Sequence, residues 1–271
     1  MNSGSVLIID PVSGRVHTKE LLWDYKEGKE GALSDLVVTA LDERNGIIYV
    51  ASVYSQGGNK VLYMIRYSIE GTRTHVEWKI TELNVGKYGP LSLYHDTRNH
   101  RIFALCQGDD NDIHSTVIYL INSPDGSIID GIPISRELHT VSPYEGHLIT
   151  INEKRNDLVA VVHGELHIID LSTKHTRKIL RNNTYQFITS SHSTHNMYVI
   201  TEKEDLELSN PKYNCLHVLK PNLEDLQIAR FGSEIELKNI NFSDNAICVQ
   251  AKHREKDNEY SFWLFNEIQT N

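Results

Sequence analysis

Four side chains could do chemistry if the chain brought them together: Asp35, Glu145, His147 and Glu236, each near the predicted start of an apolar strand. Carboxylate oxygens and an imidazole converging on one point could hold a divalent cation that activates water. Two of the carboxylates could instead act as acid and base on a glycoside. No local motif joins the four, so only the fold could assemble them. Other candidates have simpler explanations. His163 and His167 bracket a turn rather than sharing a helix face, which is not the zinc-protease arrangement. His192 and His195 flank a turn, and Asp110 and Asp112 lack the spaced oxygens and terminal Glu of a calcium loop. Phosphate loops, dinucleotide fingerprints and nucleophile elbows are absent from the sequence. No cofactor is implied.

What would position such residues is a repeat. Leu41–Tyr49 (LDERNGIIY), Tyr94–Phe103 (YHDTRNHRIF) and Ile151–Val159 (INEKRNDLV) align, and Ser193–Tyr198 and Ser243–Cys248 are looser copies. Each joins two apolar strands through a tight polar turn with Asn at its tip: Asn45, Asn99, Asn156, Asn196 and Asn245. Asn suits such a turn because it tolerates positive φ and bonds its own backbone. A second row recurs about every 50 residues: the runs Val6–Ile9, Leu62–Ile65, Ile118–Ile121, Leu166–Ile169, Leu216–Leu219 and Phe262–Phe265. Continuous apolar runs predict strands covered on both faces. The segments that follow alternate, as in His75–Leu83, which predicts an outer, half-exposed strand.

Each unit therefore reads as strands a, b and c, apolar and buried, then an amphipathic d on the outside. Four-stranded antiparallel units repeated radially form a ring. The repeat is similar to the broad β-propeller superfamily of WD40-like, Kelch-like and PQQ-like rings along essentially the whole chain. The similarity is architectural. No Trp-Asp closes strand c, no Gly-His pair opens the repeat, and Gly57-Gly58 stand in one loop rather than recurring. The fold expected is all-β, a single propeller of five or six four-stranded antiparallel blades over residues 1–271. Its repeats fall at about 34–83, 88–135, 139–182, 185–231 and 236–268. The hairpin at 5–22 is expected to supply a non-standard closure, since a ring must remove its open edge.

In such a ring the a–b and c–d turns share one face, and the b–c and d–a loops share the other. The second set is longer and more variable, and long loops on a rigid scaffold usually carry binding. That face would present the aromatics Trp23, Tyr25, Tyr88, Tyr144, Tyr185 and Tyr213 beside the acids Asp109, Asp110, Asp112, Glu202, Glu204 and Asp205. Aromatics next to charge are typical of protein-binding hot spots with a polar rim. The bland alternative is that the tyrosines plug the ring mouth and the acids solvate the loops. The reading is a non-catalytic scaffold that binds a protein or peptide partner, within a complex, through this face. Its alternative is a small hydrolase, resembling propeller lactonases or glycosidases, that uses Asp35, Glu145, His147 and Glu236 at the channel mouth.

Composition narrows the setting. With 27 basic and 36 acidic residues the chain carries a formal charge of −9, which disfavours binding to phosphate backbones. The most basic stretch, 174–181, reads as the solvated face of an edge strand. No apolar run approaches the roughly 20 residues that span a bilayer. Neither a nucleic acid nor a membrane is therefore expected as a partner. Three cysteines, Cys106, Cys215 and Cys248, lie in or beside apolar runs, which predicts free thiols and an intracellular, cytoplasmic or nuclear setting.

Overall fold

The computed structural model describes residues 3–9, 16–22, 33–42, 44–56, 59–68, 75–85, 89–107, 116–135, 147–179, 184–204, 212–243, 246–256 and 259–267. The chain opens with the hairpin β1 (Ser3–Ile9) and β2 (Val16–Leu22). Blade 1 follows as β3 (Leu33–Asp42), β4 (Ile47–Gln56), β5 (Asn59–Ser68) and β6 (His75–Asn84). Blade 2 is β7 (Pro90–Asp96), β8 (Arg101–Gln107), β9 (Thr116–Asn122) and β10 (Ile128–Ser135). Blade 3 is β11 (Ile149–Asn152), β12 (Asp157–Val162), β13 (Glu165–Asp170) and β14 (Thr176–Ile179). Blade 4 is β15 (Thr184–Ser190), β16 (Met197–Glu204), β17 (Lys212–Leu219) and β18 (Asp225–Arg230). Blade 5 is β19 (Ile235–Ser243), β20 (Ala246–His253) and β21 (Tyr260–Asn266).

Every described pairing is antiparallel between strands consecutive in sequence, so each blade is a meander. The ring is a five-bladed β-propeller. Two of its six sheets depart from the expected uniform four strands. The N-terminal hairpin is a two-stranded sheet of its own, and blade 5 has three strands. No described ladder joins the hairpin to β21, so the expected closure through it is not formed. Among the described residues no strand is paired along the free edge of β21.

Burial follows the strand order. All six residues of β12 are buried, and β7, β8, β13 and β15 are nearly so. The outer strands β14 and β18 are half-exposed to exposed, as an amphipathic fourth strand should be. The basic stretch 174–181 runs into β14, where Lys178 pairs with Glu165 at 2.9 Å and Lys174 with Asp130. The third-strand pattern fails in blade 5. Phe262 is 67% exposed and Leu264 74%, although Trp263 and Phe265 meet Phe231 edge-on on the opposite side. One apolar cluster runs through blades 2 to 5, and a second joins blade 1 to the other side of blade 2.

The tight turns are built differently from expectation at two tips. Asn45 and Asn99 are not the left-handed residues; Gly46 (φ 60°) and His100 (φ 52°) are. Asn45 instead bonds Asp42 through its backbone N–H (3.2 Å) and side-chain amide (2.8 Å), and Asn99 does the same to Asp96 at 3.1 and 2.8 Å. An Asp that ends the inner strand thus fixes the turn. Asn156 (φ 55°) does take the left-handed place, whereas beside Asn196 it is His195 (φ 60°) that does.

A candidate ligand channel on the ring axis

The innermost strands of all five blades, β3, β7, β11, β15 and β19, wall one central cavity of about 730 Å³. Thr39, Tyr94, Ile149, Thr189, Ser190 and Asn241 are among its lining residues. Because each inner strand ends in an a–b turn, the residues of those turns gather at one mouth. Asp42, Arg44, Thr97, Arg98, Glu153 and His192 stand there. His147, just ahead of β11, lines the channel from the far end.

Two polar groupings organise the mouth. Glu153 Oε1 lies 2.6 Å from His192 Nδ1, and its other oxygen is 3.5 Å from His195 Nδ1. His192 and His195 belong to the next blade, so one carboxylate ties blades 3 and 4 at their solvent end. The second grouping is buried between blades 1 and 2. Tyr49 stacks obliquely on His95, with ring centroids 4.8 Å apart, and its hydroxyl meets Ser123 Oγ at 2.5 Å. Asp42 stands 3.8 Å from His95 Nδ1. Burial pushes the His95 imidazole below its ordinary pKa, outweighing the opposing pull of Asp42 and Asp96. His147 is pushed down by burial alone. Further in, Thr150 Oγ1 and Ser190 Oγ sit 2.6 Å apart on adjacent inner strands, and the His147 N–H reaches Asn239 Oδ1 of blade 5 at 3.2 Å.

Of the quartet Asp35, Glu145, His147 and Glu236, His147 lines the channel. Glu236 pairs with Lys238 at 2.7 Å, Glu145 lies outside the described residues, and only the backbone of Asp35 is described. Among the described residues no group of three His, Cys, Asp or Glu side chains is arranged to hold a metal ion. On the long-loop face, Trp23, Tyr25, Tyr88, Asp109, Asp110, Asp112, Tyr144 and Asp205 lie outside the described residues, and Glu204 is described as backbone only. Tyr185 is buried. Tyr213 lies under the Arg230 guanidinium, 3.8 Å from the ring centre, and Glu202 accepts from Lys212 at 2.8 Å. Arg44, Arg98 and Glu153 were not singled out by sequence, because their segments read as turn chemistry. The usable signal was that every inner strand must deliver its turn to the same rim.

No family model matches the sequence, and no curated protein matches it. Among solved structures the chain is similar to a puromycin hydrolase S511A mutant complexed with PGG. The TM-score is 0.57 at 12% identity, over 94% of this chain and 39% of that one. It is also similar to the β-propeller domain of the Trilobed protease from Pyrococcus furiosus, which has an open velcro topology. There the TM-score is 0.53 at 8% identity, covering 87% and 69%. A chain of the Mitotic Checkpoint Complex gives 0.53 at 8%, covering 98% and 85%. At such identities the likeness establishes the ring and nothing about its chemistry. The chain is a β-propeller of five blades, an architecture able to bind a ligand or partner, and among the described residues no helix is long and apolar enough to cross a membrane.

Proposed function

We propose that the protein works through its axial channel, taking a small polar molecule or the end of a peptide at the tight-turn mouth. The observation that carries this is the cavity itself: about 730 Å³, walled by all five inner strands, with hydroxyl, amide and charged groups around it. Ligand sites are typically concave spaces of roughly 300–1,000 Å³ with a few convergent polar groups. Capture of a protein on the long-loop face is a separate reading that rests on the sequence pattern there. The three cysteines are free thiols, which supports an intracellular setting.

Hydrolysis of the bound molecule is the second reading, and it draws more support than a pure scaffold does. Glu153 and His192 form the carboxylate–imidazole contact that a general base needs. Two of the similar structures are a hydrolase and the propeller domain of a protease. The chain spans 39% of that hydrolase, so its activity is not carried over whole.

The test is a small-molecule and peptide screen by thermal shift, repeated on Thr189→Trp, which fills the channel. The expected result is stabilising hits that disappear in the filled variant while its circular dichroism stays native. Hits retained at full strength in that variant would refute the channel. Turnover of ester or glycoside probes that is lost in Glu153→Gln, with binding retained, would establish the hydrolytic reading.

A further inference from the structure

In four of the five blades the turn that ends the inner strand carries a basic residue at the same place, two positions past the strand's last residue; after β19 that place is Asn245. After Asp42, Asp96, Asn152 and Ser190 that residue is Arg44, Arg98, Lys154 and His192. This holds in a chain whose formal charge is −9. Arg44, Arg98 and His192 all line the channel mouth.

The acids of the same turns are already engaged. Both oxygens of Asp42 accept from Asn45, and both oxygens of Asp96 from Asn99, with Arg101 adding a bond at 2.8 Å. The two aspartates are only 4% and 5% exposed. Glu153 is held between His192 and His195. Glu43 lies outside the described residues. Arg44, Arg98 and Lys154 are exposed, and none of them has a hydrogen bond or ion pair among the described residues. At the mouth the carboxylates of Asp42 and Glu153 are already held, by Asn45 and by His192 and His195, while Arg44 and Arg98 are exposed with no partner among the described residues.

We infer that the channel takes an anionic ligand, one that presents carboxylate or phosphate oxygens to Arg44 and Arg98 while its body enters the channel. This rests on the channel reading above and adds the chemistry of the ligand. Guanidinium is the group that meets both oxyanions with paired, planar donors. Unpaired arginines at the end of a recessed, polar cavity concentrate anions there even when the whole chain is acidic.

The test uses citrate and inorganic pyrophosphate as probes, with neutral erythritol for comparison, all at one fixed ionic strength. Binding is followed through the arginine Nε–H resonances of the intact protein. The expected result is saturable displacement of the Arg44 and Arg98 signals by at least one anion. Affinity should fall about tenfold or more in Arg44→Gln/Arg98→Gln and be unchanged in Arg177→Gln on the outer strand β14. A response to citrate alone assigns a carboxylate ligand, and to pyrophosphate alone a phosphate; either supports the inference. If neither anion moves the two signals, or the double variant binds as tightly as the wild type, the inference is overturned. Erythritol entering the channel without any anion response would overturn it while leaving the channel reading standing.

Discussion

The side-chain amide of Asn214 donates to Gln186 Oε1 at 2.9 Å, and both residues are buried. The Asn214 side-chain oxygen accepts the Leu237 N–H at 3.1 Å, and its backbone carbonyl accepts the Phe231 N–H at 2.9 Å. One residue of β17 thus ties the inner strand of blade 4 to the inner strand of blade 5.

Asn214→Leu keeps the branched heavy-atom outline, with a bulkier side chain, and removes both side-chain bonds, leaving the Gln186 oxygen and the Leu237 N–H unsatisfied in the interior. Each such group costs about 1–3 kcal/mol. The expected loss of unfolding free energy is about 2–6 kcal/mol in a urea titration. An unchanged midpoint would show that the bridge contributes nothing.

Three histidines make stability fall on acidification. His95, His147 and His167 all have their pKa lowered in the fold, in each case chiefly by burial, and Lys178 adds to the effect at His167. The unfolded chain takes up these protons near pH 6.5, whereas the folded chain refuses them until lower pH. Their contribution is complete above about pH 6.5 and declines as the pH drops below it. His167→Gln should flatten the fall in stability between pH 7 and 5, measured by urea unfolding at each pH. A profile as steep as that of the wild type would count against the assignment.

Thiol labelling should separate the cysteines. Cys106 and Cys215 are buried, and burial pushes both thiols above their ordinary range, so neither offers thiolate at neutral pH. Cys248 is half-buried. A disulfide reagent added to native protein should modify Cys248 first, with the other two reacting only on unfolding. Mass mapping that found Cys106 modified before Cys248 would contradict this packing.

Two leucines in equivalent third strands should respond in opposite ways. Leu216 is fully buried in the main cluster, and Leu216→Ala should cost about 2–5 kcal/mol. Leu264 is 74% exposed, and Leu264→Ser should stay within about 0.5 kcal/mol. Similar losses at both sites would mean that β21 is covered in solution.

That contrast also marks where the sequence was readable. The runs 62–65, 166–169 and 216–219 announced their third strands because a largely apolar run without alternation suits a strand covered on both faces. Phe262–Phe265 carries the same pattern and is left uncovered on one side. Apolarity records that a side chain can be buried, not what stands opposite it. The Asp42–Asn45 and Asp96–Asn99 turns were legible as turns, because Asn at a polar tip between apolar runs has few other uses. The mouth was not legible. Glu153 and His192 are 39 residues apart and meet only because neighbouring inner strands end at one level around the axis. No local pattern encodes the rotation from one blade to the next.

The distribution of the apolar core makes the ring behave as a row. Among the described residues the clusters couple blade 1 to blade 2 and then run on through blades 3, 4 and 5, with none bridging blade 5 back to blade 1. Such an array unfolds by nearest-neighbour rules: its end members have one cohesive interface and its inner members two. Amide exchange should accordingly be fastest in blades 1 and 5 and slowest in blade 3. Fraying from the ends removes two of the five channel walls while the rest persists, so release of anything held on the axis and the first step of unfolding lie along the same coordinate.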